Sequence, residues 1–139
     1  MGSECYPCRR ISPGVILKSQ LSYAKLNIMT IDINRPIPES YWVVPGRLLA
    51  GEYPGEPDEE PTRKRIDALI EAGFDTFIDL TKPHETWPYA NILLEEIKIY
   101  EAEAAHLRFP IGDFGLPSPE QMNSILDAID QKLQEGHKI

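Results

Sequence analysis

Residues 66–81, IDALIEAGFDTFIDLT, decide the fold. Ile66, Leu69 and Ile70 recur at helical spacing and make an apolar stripe that must face a core. Gly73 stands where a helix closes its C-terminus with a residue in the left-handed region. From Phe74 to Thr81 the pattern changes to the alternation and bulk of a strand. Helix, glycine, strand is half of a βαβ unit, and the same grammar continues downstream. Strands alternating with helices of this length predict an α/β layer, a mixed but mainly parallel sheet flanked by helices.

Upstream of this stretch, Pro61 suits a first helical turn, with Asp58, Glu59 and Glu60 near the positive end of the helix dipole. GEYPGEPDEEP at 51–61 is loop. Tyr41–Val44 is a short aromatic and β-branched strand ended by Pro45-Gly46, and Arg47–Ala50 is a second strand ended by Gly51. Residues 1–40 carry Pro7, Pro13, Pro36 and Pro38. Their VILKSQLSYAKLNIMTI segment shows no clean period of 2 or 3.6, so they are expected to form a leader or an edge element beside a domain at 41–139.

Downstream, KPHETWP is loop, and Ile92, Leu93, Ile97 and Tyr100 fit one face of a helix from Tyr89 to about Glu103. Leu107–Ile111 reads as the next strand, with Pro110 at an edge or terminal position. Ser118, Pro119 and Gln121 mark a helix start with capping-box spacing. Met122, Ile125, Leu126, Ile129 and Leu133 stack on one face of that helix, 119–134, and Gly136 ends it. So clean a face is expected to pack on a sheet, and βαβ logic asks for a strand after it. His137-Lys138-Ile139 is too short to be that strand. The sheet is therefore expected to lack a strand within these residues, unless a partner covers the helix.

At 139 residues the chain makes at most one domain with a sizeable core. No stretch approaches the roughly 20 apolar residues of a membrane span, and no secretory signal is recognisable. A cytoplasmic protein with no membrane partner is expected. With 22 acidic against 14 basic side chains the net charge is −8, which repels a phosphate backbone and argues against nucleic acid. Local N–H groups and an arginine can still hold a small anion. The two cysteines, Cys5 and Cys8, form CYPC. A redox pair needs a preceding strand, and a zinc half-site needs two more ligands, whereas His84, His106 and His137 are scattered. Incidental thiols are the simplest reading, and no metal or cofactor is expected.

FPIGDFGLPSPEQM at 109–122 carries the chemistry. Asp113 follows a strand and precedes a helix, in the kind of loop where open α/β sheets keep their ligands. Taken alone, Asp113 is as readily a turn residue. Asp113-Phe114-Gly115 also spells the metal-binding triplet of protein kinases, but the glycine-rich loop, strand lysine and catalytic loop of a kinase are absent. Phe114 and Leu116 either line the mouth of a site or anchor the loop to the core, the anchor being the simpler role. Arg47 and Arg108 lack the loop-to-helix setting of a phosphate-binding arginine and read as salt-bridge residues. His84, Glu85 and Trp87 sit at the edge where a site would form, with solvated loop as their default.

From Tyr41 onward the chain resembles the N-terminal part of a dual-specificity, tyrosine-phosphatase-like cysteine phosphatase. WVVPGRLLAGEYP resembles that family's entry strands, GFDTFIDLT the strand after its first sheet-packing helix, and FPIGDFGLPSPEQM its general-acid loop. The D-x-x-x-P pattern falls on Asp113 and Pro117. The family's H-C-x5-R signature is absent from the 139 residues, and neither Cys5 nor Cys8 replaces it. The resemblance implies a phosphatase-like sheet without its signature strand and phosphate loop. It also implies hydrolysis of phosphorylated proteins or small phosphate monoesters through a phosphocysteine, with Asp113 as general acid. This polypeptide by itself is expected to be inactive. The alternative is a non-catalytic binding or scaffold module of the same ancestry, with a protein partner over the helix at 119–134.

Overall fold

The computed structural model describes residues 35–139. Cys5, Cys8 and the expected leader lie outside the described residues. A hairpin comes first: β1 (Ser40–Val44) and β2 (Leu48–Gly51) pair antiparallel, with an irregularity between Trp42 and Val44. Its turn closes through Arg47 N donating to Val44 O at 2.9 Å, with Gly46 at φ 72°. A glycine at the third position of such a turn takes the positive φ without steric cost.

Helix α1 (Glu59–Glu71) leads into β3 (Thr76–Asp79), and helix α2 (Ala90–Ile99) leads into β4 (Ala105–Arg108). Strands β3 and β4 pair parallel, Thr76 beside Ala105 through Asp79 beside Arg108. Helix α3 (Pro119–Gln134) follows. The result is a small mixed α/β fold, two two-stranded sheets flanked by three helices among the described residues. The single, mainly parallel sheet expected from the sequence is thus divided. One half is antiparallel because a four-residue turn cannot return a chain in parallel.

All three helices close with the same pair of backbone bonds. Phe74 N reaches Leu69 O and Gly73 N reaches Ile70 O; His137 N reaches Lys132 O and Gly136 N reaches Leu133 O. Gly73 and Gly136 hold the left-handed position in these two Schellman caps, at φ 84° and 96°. At the end of α2 that position falls to Glu101, φ 49°, with Ala102 N donating to Ile97 O at 2.9 Å. The helix therefore stops at Ile99 and not near Glu103. β4 likewise begins at Ala105, whose N–H donates to Asp75 O at 2.8 Å, and ends before Pro110.

The core lies between α1, α2 and β3: Ile66, Leu69, Ile70, Phe74, Phe77, Tyr89, Ile92 and Leu93. Trp42 of β1 stacks on Phe74 with ring centroids 5.9 Å apart, and Lys138 Nζ lies 4.6 Å from the Phe74 centroid. Arg63 of α1 ties the two helices together through Glu95 and the buried Glu96. Helix α3 is finished differently. Of its apolar stripe only Ile125 is buried, while Met122 and Leu126 keep 40% and 50% of their surface. The expectation that the whole stripe packs is corrected on this point.

Between the two sheets runs an apolar cleft of about 410 Å³, lined by Leu49 and Gly51 of β2, Thr76 and Ile78 of β3, and Ile129 of α3. At its entrance Ile139 N donates to Arg47 O, and Leu49 N donates to Ile139 O, both at 2.8 Å. Lys138 O accepts from Asp75 N and Thr76 N at 3.1 and 3.2 Å. Among the described residues these two alone join the sheets through backbone bonds, at the N-terminal ends of both β2 and β3. Arg47 holds the same corner, its guanidinium donating to the carbonyls of Leu133 and His137. The salt bridge expected of Arg47 is therefore a clamp on the carbonyls at the end of α3.

Candidate functional site

The C-terminal ends of β3 and β4 feed two loops, residues 80–89 and 109–118, and these meet. Ile111 N donates to Leu80 O at 2.8 Å, so the second loop leaves beside a residue that lines the cleft. At the base stands Asp79, whose carboxyl is fully buried. Arg108 donates to its Oδ2 from Nη2 at 2.7 Å and from Nε at 3.1 Å. The Thr81 hydroxyl and amide donate to its Oδ1 at 2.7 and 2.8 Å. Burial pushes the Asp79 pKa up, but these hydrogen bonds and the arginine charge outweigh it and hold the carboxyl below its ordinary value. Arg108 is thus the structural ion-pair residue expected, and it serves to join β3 to β4.

Asp113 lies on a tight turn in the second loop. Gly115 N donates to Gly112 O at 2.7 Å, and Phe114 within the turn is left-handed at φ 55°. The Asp113 N–H is taken by Glu85 Oε1 at 2.8 Å. The residue is exposed, and its carboxylate has no hydrogen-bond partner among the described residues. The Lys82 ammonium runs along the same loop; a Cβ added at Gly112 would lie 2.6 Å from Lys82 Nζ. Behind the turn, the Ser118 hydroxyl caps α3 by accepting from Gln121 N at 3.1 Å. The Gln121 side chain turns away from the expected capping box and donates to Pro110 O at 2.7 Å. The helix start and the strand end are thereby fixed on either side of Asp113.

Phe114 and Leu116 are fully exposed, at 102% and 94%. The anchoring role expected of them is overturned: the turn projects both side chains into solvent. Trp87 is 58% exposed, and His84 is left-handed at φ 68°. Three exposed apolar side chains, Phe114, Leu116 and Trp87, thus lie on the two loops that carry Asp113 and Glu85. Glu85, Gln121 and Asp79 are the residues that sequence reasoning missed in these roles. Asp79 had a signal, a charge inside an apolar strand; Glu85 and Gln121 act across loops and leave none. No group of three or more metal-ligating side chains occurs among the described residues. No helix among them is long and apolar enough to cross a membrane.

Compared with known proteins, the chain is 30% identical over 95 residues to GDP-fucose protein O-fucosyltransferase 3 of Xenopus tropicalis. That similarity covers 66% of this chain and 19% of the fucosyltransferase, so the chain spans about a fifth of its relative's length. No protein-family model and no solved structure matches the chain.

Proposed function

We propose that this domain is of cysteine-phosphatase ancestry, with Asp113 as the general acid in hydrolysis of phosphate monoesters on proteins. One observation carries the reading: an exposed, unpartnered carboxylate on a strand-to-helix turn beside the C-terminal end of β3. A phosphate monoester is anionic, and its alkoxide or phenoxide leaves poorly without a proton. In this reading a thiolate attacks phosphorus, the P–O bond to the leaving group breaks, and Asp113 gives that oxygen its proton. The resulting carboxylate then takes a proton from the water that cleaves the phosphocysteine. The thiolate belongs outside the described residues, because positions 35–139 contain no cysteine. A phosphate-binding arginine is assigned there too, since Arg35, Arg47, Arg63, Arg65 and Arg108 all have other partners. The −8 charge favours substrates with basic residues around the phosphate.

The test uses the protein as its gene encodes it. Asp113→Asn is expected to lower turnover of phenyl phosphate by about 10²- to 10⁴-fold while leaving the circular dichroism spectrum unchanged. Unaltered turnover rejects the assignment. The 139-residue polypeptide by itself is expected to show none.

A second reading, a binding module of the same ancestry, is favoured by the exposed Met122 and Leu126 on α3. It expects a partner that shields both; a well-behaved monomer in light scattering, with both side chains still open to solvent, counts against it.

A further inference from the structure

We propose that Glu85 is a positioning residue for Asp113, latching the loop after β3 to the loop after β4. The inference rests on the phosphatase reading given above and assigns that site a second acidic residue with a different task. The two carboxylate oxygens of Glu85 are divided between the loops. Oε2 accepts from the Lys82 N–H at 2.8 Å, which folds the first loop back on itself. Oε1 accepts from the Asp113 N–H at 2.8 Å, which reaches into the second. Both bonds are charge-assisted and hence stronger than neutral ones. Protonation of Glu85 is correspondingly disfavoured by the Lys82 and Asp113 N–H groups.

The geometry at Asp113 gives the latch its purpose. Gly112 O and Gly115 N close a turn over Asp113 and Phe114, and Phe114 holds a backbone conformation that a phenylalanine rarely takes. Phe114 and Leu116 are fully exposed, so no apolar anchor fixes this turn. Its position is set from its two ends, by Ile111 N on Leu80 O and by Gln121 on Pro110 O, and at its centre by Glu85. Glu85 is the only contact that grips the acid's own peptide group among the described residues. An acid catalyst must stand within hydrogen-bond reach of the leaving oxygen, and a misplacement of about 1 Å can cost 10²-fold. Releasing the Asp113 amide therefore lowers the fraction of molecules with the carboxyl in place, without altering its chemistry.

The decisive experiment combines a double-mutant cycle in the full gene product with backbone amide exchange. Glu85→Ala is expected to lower kcat for phenyl phosphate by about 10- to 100-fold with KM within about twofold of its starting value. In the Asp113→Asn background the same change is expected to cost nothing further, because no acid remains to position. Glu85→Gln, which keeps one carbonyl oxygen, is expected to fall between. The Asp113 amide, protected in the parent, is expected to exchange freely in Glu85→Ala. Additive losses in the cycle, or an Asp113 amide that stays protected without Glu85, overturn the positioning role. If Asp113→Asn has no effect on turnover, the acid assignment and this role fall together. Amide exchange in Glu85→Ala then separately shows whether the latch exists.

Discussion

Helices α1 and α3 carry apolar stripes of the same kind, yet they end in different surroundings. Ile66, Leu69 and Ile70 of α1 are all buried, enclosed by Phe74, Phe77 and the facing side of α2. In α3 only Ile125 reaches that state, and Leu126 is half exposed. The periodicity of both stripes is sound, so the difference lies in what stands opposite. α1 packs its stripe against Phe74, Phe77 and the Ile92 and Leu93 side of α2, with Leu69 also reaching the cleft. α3 lies near the cleft where β2 and β3 do not pair directly, their backbones being bridged among the described residues by Lys138 and Ile139. A helical pattern therefore specifies which face turns inward, whereas the amount buried is set by the sheet it meets.

The contrast can be broken at several points. Ile66→Ala removes a fully buried side chain and is expected to cost about 3 to 4 kcal/mol in denaturant unfolding; a loss below about 1 would deny that the α1 side is the finished core. Asp79→Asn takes the charge from beneath Arg108 and Thr81. Because Arg108 keeps 30% exposure, we expect about 2 to 3 kcal/mol, less than for a wholly buried pair. The pH dependence has a definite sign. Native Asp79 titrates below its ordinary value, so its contribution is present above about pH 4 and is lost as pH falls through the lower native pKa. An acid limb of stability that persists unchanged in Asp79→Asn would contradict this.

Arg47→Ala, on the α3 side, frees the Leu133 and His137 carbonyls and is expected to cost about 1 to 2 kcal/mol. Its signature is local: the amides of Leu49 and Ile139 should exchange faster while those of α1 do not. The smallest effect is expected for Leu126→Ala, within about 0.5 kcal/mol. A cost like that of Ile66→Ala would mean that α3 is packed after all.

Much of the order of elements was legible in the residues themselves. Gly73 and Gly136 announced the ends of α1 and α3, and Ser118-Pro119 announced the start of α3, because each signal acts within a few residues. The end of α2 was hidden: Glu101 holds the left-handed cap position with no glycine to mark it. The exposure of Met122 and Leu126 was hidden for another reason, since it depends on β2 and β3, which are distant in sequence. The site divides the same way. Asp113 was marked as a candidate by its strand-to-helix loop. Its grip by Glu85 could not, for a hydrogen bond between two loops leaves no local pattern.

The role proposed for Asp113 is that of proton donor to the leaving oxygen. The direct measurement is the dependence of turnover on the leaving group in the full gene product, from phenyl phosphate to nitrophenyl phosphates that leave without help. Asp113→Asn is expected to be severely slowed on phenyl phosphate and scarcely slowed on the most acidic leaving group, so that a nearly flat dependence becomes steep. Equal slowing across the whole series would contradict the general-acid role of Asp113.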